Sequence, residues 1–172
     1  KQSVEEIDHA LTEIIHSEYE ILNSQEFSEF VYMYDDLDWY RRYELQKSLA
    51  KELAAIKNES DYVKSAWIYI PSMNKTISDY RTNLPAPSWL AAYSQHAESL
   101  QPIDGSAVYF VGHTDPDDPS RLVAVAAVML DEAQICNRLM YVQRSEQDGS
   151  RLRWNAQPAV GDEPEGDLIR NG

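Results

Sequence analysis

Four histidines give the first places where chemistry could occur. His9 and His16 stand seven residues apart, which puts them on one helix face about two turns apart. Paired metal-binding histidines sit at i and i+4, so these two read as solvent-facing or interfacial. His113 precedes Asp115, Asp117 and Asp118 in one loop. Clustered carboxylates suit a hard cation, but Asp115-Pro116-Asp117-Asp118-Pro119 has neither the spacing nor the glycine of a calcium loop. It reads as an acidic turn, and a hydrolytic His113–Asp115 pair would require both side chains to face one cleft. Cys136 follows Ile135 in an amphipathic pattern and reads as a small buried hydrophobe. Being the only cysteine, it excludes an internal disulfide and any CxxC motif. Neither nucleophile-elbow, phosphate-loop, dinucleotide, zincin nor kinase signatures occur. The pairs Glu5-Glu6, Glu18/Glu20 and Glu26/Glu29 fall on helical segments and read as solvated faces. The expectation is a domain with no catalytic residues, no metal and no cofactor.

The aromatic residues carry more. There are 11 Tyr and 4 Trp against 3 Phe, so rings with a polar handle dominate. Such rings suit half-buried positions and pockets for polar small molecules. The candidate ligand-binding residues are Trp67, Tyr69, Tyr80, Arg81, Trp89, Tyr93 and Tyr109. Strand alternation puts Trp67 and Tyr69 on one face, with Ile68 and Ile70 on the other.

The elements that must position them follow from periodicity. Val4, Ile7, Leu11, Ile14, Ile15, Ile21 and Leu22 form one helical stripe, with Ser3 and Glu6 as a capping box. A second short helix holds Phe27, Phe30, Val31 and Tyr34. A third, near Asp38 to Lys57, is expected to put Trp39, Tyr43, Leu49, Leu53 and Ile56 on one side. The period then changes. Tyr62 to Ile70 is aromatic and β-branched, a strand, followed by a turn at Ser72 to Lys75 and a return strand at Thr76 to Ser78. After the two prolines of the Arg81 to Pro87 loop, Ser88 is expected to cap a helix containing Trp89, Leu90, Ala92, Tyr93 and His96. Strands at Ala107 to Val111 and Arg121 to Leu130 follow, then a helix opened by Asp131 and a strand at Arg151 to Trp154.

The chain has 172 residues and a formal charge of −14. That length fits one domain with a real core. The acidic excess argues against nucleic acid and anionic membrane surfaces. The longest apolar run, Leu122 to Leu130, is about half of a membrane span. The chain starts Lys1-Gln2-Ser3 without an initiator Met and ends in a polar tail, so it reads as a piece of something longer.

The strand Ser65-Ala66-Trp67-Ile68-Tyr69-Ile70-Pro71, the following Asn74-Lys75-Thr76-Ile77-Ser78, and the exit Leu122 to Leu130 into Asp131-Glu132-Ala133-Gln134-Ile135 resemble a known family. It is the extracellular Cache sensor domain of Gram-positive sensor histidine kinases and membrane-anchored AraC-type transcription regulators. The resemblance spans roughly residues 3 to 143. It implies an α+β, PAS-like double Cache-type fold: an antiparallel sheet of about five strands, flanked by helices and hung on a long N-terminal helix. It divides the chain into a helical stalk and second helix at 1–60, a sheet module at 61–157, and an acidic tail at 158–172, with 144–172 completing this module or beginning another. It further implies an ectodomain that senses a small molecule and signals through the N-terminal helix. The alternative is a ligand-free interaction module that recognises a solute-binding protein or forms a homodimer. Family members that bind amino acids carry Arg-x-x-Trp-Tyr. Here Ala86 stands three before Trp89 and Leu90 follows it, leaving Arg81 as the substitute for the carboxylate-binding Arg and a sugar as an equal ligand class.

Overall fold

The structure is a computed structural model that describes residues 2–93, 98–103 and 105–140. The chain divides into two compact units, Lys1–Leu139 and Met140–Gly172. The second, with the expected strand at Arg151 to Trp154, lies outside the described residues except for Met140.

Helix α1 runs from Gln2 to Leu22, roughly 31 Å at the usual rise per residue. Ile7, Ile14, Ile21 and Leu22 are its buried stripe. Ser3 lies inside the helix, so it is not the cap that the Ser3–Glu6 pairing suggested. Helix α2, Gln25–Tyr32, is capped by Ser24, whose hydroxyl accepts from the Phe27 N–H at 3.2 Å. Its Phe27 and Phe30 are fully buried. Helix α3, Trp39–Glu59, begins at Asp38, whose carboxylate accepts from the Arg41 N–H at 2.7 Å. A bidentate fork from Arg41 to Glu29, at 2.8 and 2.7 Å, ties α3 to α2. The buried stripe of α3 is Leu45, Leu49, Leu53 and Ile56. Trp39 and Tyr43, expected on that stripe, are 77% and 51% exposed. Tyr43 is two residues, about 200° of helix rotation, from Leu45, which turns it to the opposite face.

Five strands follow: β1 (Val63–Ile70), β2 (Lys75–Ser78), β3 (Glu98–Ile103), β4 (Ser106–Thr114) and β5 (Leu122–Leu130). They form one antiparallel sheet in the order β2-β1-β5-β4-β3. The fold is therefore α+β, with a five-stranded antiparallel sheet and flanking helices. Strand β3 had no counterpart in the sequence reading. Its Pro102 lacks an N–H, and the strand sits at the sheet edge, paired only with β4, where such a residue is tolerated.

Strand alternation sorts the core into two layers. Ala66, Ile68, Ile70, Val111, Ala124, Ala126 and Val128 face the helices. Trp67, Tyr69, Val108, Phe110, Val125 and Ala127 face the other way. β5 is central and covered on both sides, which explains its unbroken apolar run. The helices thus belong to the same core as the sheet.

β2 and β3 lie at opposite edges of the sheet, on the order of 19 Å apart at normal strand spacing, and the chain between them crosses one face. The helices occupy one face, and the crossover, with Trp89, packs on the other. This connection brings Trp89 and Tyr93 onto the sheet face that carries Trp67, Tyr69 and Phe110. After β5, the Asp131 carboxylate accepts from the Gln134 N–H at 3.2 Å and starts a helix at 132–140. Ile135 packs on the core, whereas Cys136, expected to be buried, is exposed; one residue on, it is turned about 100° away. No helix among the described residues is long and apolar enough to cross a membrane.

Candidate functional site

The crossover is tied down along its first half. The Ser78 N–H donates to the Arg81 carbonyl at 2.6 Å, and the Ser78 hydroxyl accepts from the Tyr80 and Arg81 N–H groups. Thr76 and Leu84 exchange backbone hydrogen bonds at 3.0 Å each, and the Thr76 hydroxyl donates to the Pro85 carbonyl at 2.9 Å. Beyond Pro85 the anchors are rings. A short 3-10 turn, Ser88–Ala92, brings Trp89 onto the sheet. The sequence led to an expectation of a Ser88-capped α-helix here. Instead Pro87 precedes the turn, and no side chain caps it.

Trp89 is 6% exposed. Its ring centre lies 6.2 Å from Trp67 and 5.3 Å from Phe110, both tilted by 49°. Tyr93 lies 5.6 Å from Phe110. These separations fall in the range of favourable aromatic pairs. Tyr69 belongs to the same cluster, and its hydroxyl donates to Asn74 Oδ1 at 3.2 Å. Asn74 itself holds a left-handed backbone, with φ 46°, a conformation in which Asn is among the better tolerated residues. Burial raises the Tyr93 phenol above its ordinary pKa, so it stays a neutral hydrogen-bond donor at physiological pH.

The structure thus brings together Trp67, Tyr69, Trp89 and Tyr93 from β1 and the crossover. It adds Phe110, which the emphasis on polar-ended rings passed over; its alternation with Tyr109 along β4 was the available signal. Tyr109 packs on the helix-side core, on the opposite face, because β4 already turns Val108 and Phe110 towards the crossover. Tyr80 is 65% exposed and Arg81 is also exposed, with the Arg81 guanidinium 5.8 Å from the Tyr80 ring. These three are not part of the cluster. The rings pack on one another at tilts of 49° to 58°, and aromatic groups with hydroxyl and indole tips are of the kind that line sites for polar small molecules.

The remaining candidates are structural. The His113 ring meets Phe27 edge-on at 5.6 Å, on the helix side. Asp115 accepts from the Asp117 N–H at 2.9 Å, and Asp118 accepts from the Ser120 N–H and hydroxyl at 3.1 and 2.6 Å. The acidic loop uses its carboxylates to make its own turns. Among the described residues no group of three His, Cys, Asp or Glu could hold a metal. His16 sits 3.1 Å from Glu20 on the exposed side of α1.

No family model, curated protein or solved structure matches the chain.

Proposed function

We propose that the chain is the extracytoplasmic ligand-sensing domain of a transmembrane signalling receptor. In this reading it is a Cache-type, PAS-like module, and its parent is a sensor histidine kinase or an AraC-type regulator. The observation that carries the reading is the gathering of Trp67, Tyr69, Trp89 and Tyr93 on the sheet face opposite α1, α2 and α3, under a crossover. The five-stranded antiparallel sheet and the long α1 against it support the Cache resemblance.

The ligand, a sugar, amino acid or small carboxylate, binds where rings from the crossover meet rings from the sheet. It acts by favouring one placement of the crossover over another, since a ligand shifts a conformational equilibrium only through differential affinity. β5 provides the route across. Val125 and Ala127 face the rings, while Ala124 and Ala126, alternating with them along the strand, face the helix side on which α1 packs. A small movement of β5 is therefore felt by α1.

A thermal-shift screen of sugars, amino acids and small carboxylates tests this reading. A ligand present at one hundred times its Kd adds about 2.7 kcal/mol of stability. The expected result is a raised Tm with at least one compound, abolished in Trp67→Ala. No rise with any compound overturns it.

A second reading has an observation of its own. Tyr32, Met33, Trp39, Tyr40 and Tyr43 are between 47% and 77% exposed around the α2–α3 junction, and exposed apolar groups of this kind mark interaction surfaces. On that reading the module docks on a solute-binding protein or a second copy. Sedimentation that shows a dimer in the wild type and a monomer in Trp39→Ala/Tyr43→Ala would favour it.

A further inference from the structure

A cavity of about 480 Å³ lies apart from the aromatic cluster. Tyr32, Tyr34 and Asp35, from the end of α2 and the turn after it, line it together with Ser72, Lys75 and Arg121. Val31 and Met73 supply its apolar wall. Its volume is in the range of small-ligand sites. Its charge runs against that of the molecule. The chain has 29 acidic residues to 15 basic, yet here Lys75 and Arg121 face a single lining carboxylate, that of Asp35. By contrast, two grooves between α1 and α3, of about 310 and 320 Å³, are lined by Glu13, Glu20, Glu52 and Glu59.

Both cations have donors to spare. The Lys75 ammonium lies 5.5 Å from the Tyr34 ring centre and 5.9 Å from that of Phe30. It makes no ion pair with any carboxylate among the described residues. Ring faces attract the charge but accept none of its three N–H groups in a strong hydrogen bond. Arg121 is 62% exposed and forms an ion pair with Asp115 at 3.6 Å, beyond hydrogen-bond distance. Its five donors remain available. The Tyr32 phenol, raised in pKa by burial and then by Asp115, stays protonated and can donate.

We propose that this cavity binds a small organic acid. Its oxyanion pairs with Lys75 and Arg121, its carbon skeleton rests on Val31 and Met73, and a hydroxyl or amine meets Asp35. Charge-assisted pairs of this kind are the strong ones. A chain of charge −14 repels anions in general, so measurable anion binding reports a built site. This inference is independent of the aromatic site on the other face.

Calorimetric titration of the full chain at constant ionic strength tests it, using citrate, succinate and inorganic phosphate, with glycerol as the neutral control. Saturable binding of citrate or succinate, weakened about tenfold or more in Lys75→Met and in Arg121→Gln, is the expected result. Phosphate bound more tightly than both organic acids would overturn the assignment to a carboxylic acid and mark the cavity as a phosphate site. Binding of none of the three, or binding unchanged in both variants, overturns the site itself. Arg121→Gln alters an exposed side chain and keeps the test sound if Lys75→Met fails to fold.

Discussion

Asp79 shows how one side chain fixes the start of the crossover. Its side chain is only 3% exposed and fully engaged. Oδ1 accepts from the Ser65 hydroxyl at 2.6 Å and the Ala66 N–H at 3.3 Å, and Oδ2 lies 3.4 Å from Lys57 Nζ. The Asp79 N–H returns a bond to the Ala66 carbonyl. Asp79→Ala orphans the part-buried Ser65 hydroxyl and the Ala66 N–H, so a loss of about 2 kcal/mol is expected in urea unfolding. Asp79→Asn keeps the acceptor and should lose about half as much. His113 gives a pH signature. Burial holds its pKa below the ordinary 6.5, with Asp115 pulling upward. The unfolded chain then takes up a proton before the folded one as pH falls. Stability from this group is complete above about pH 6.5 and is lost on acidification towards the lower folded value. Glu52 works in the opposite sense: burial, then Glu26 and Glu20, raise its pKa, so its contribution is present at low pH and fades as pH rises. The informative quantity is therefore the difference between wild type and His113→Phe. Urea midpoints at pH 7.5 and 5.5 should show the wild type losing ground relative to the variant on acidification, and parallel curves would refute the assignment.

At the scale of elements, α3 and the sheet hold together through Leu45, Leu49, Leu53 and Ile56. Leu49 is 0% exposed, and Leu49→Ala should cost about 2–5 kcal/mol, read as a shifted denaturation midpoint. A cost below about 1 kcal/mol would mean that this interface is not tightly packed. The long helices and β1, β2, β4 and β5 were legible in the sequence, because burial on one or both faces writes its period into the residues. Two features of the fold were not legible, each for a physical reason. β3 is an edge strand of polar character that contains Pro102, so neither alternation nor β-propensity marks it. Trp39 and Tyr43 drew the α3 stripe towards themselves by hydrophobicity, although the spacing from Leu45 turns them outward. The candidate site was legible in its β1 and crossover rings. Phe110 was passed over for want of a polar end, although its alternation with Tyr109 along β4 marked its face. The Lys75 cavity was missed because it depends on the meeting of α2 with the β1–β2 connection, which one sequence does not state.

The whole unit brings its two ends together. The Arg138 guanidinium donates to Glu6 at 2.6 Å, joining the helix at 132–140 to the first turns of α1. Both side chains are nearly half exposed, so Glu6→Gln should change global stability by less than about 1 kcal/mol. It should nevertheless speed amide exchange in 132–140, and unchanged exchange there would show that the pair does not hold that helix. This junction sits on the side of the sheet opposite the aromatic rings, as α1 does. On the proposed sensing function, a signal passes from the crossover, through β5, to α1. Hydrogen exchange across the chain, with and without the compound that raises Tm most in the thermal-shift screen, measures that transfer directly. The account predicts slowed exchange in residues 79–93 together with altered exchange in α1. No compound that changes exchange, or protection confined to segments other than the crossover and α1, would contradict it.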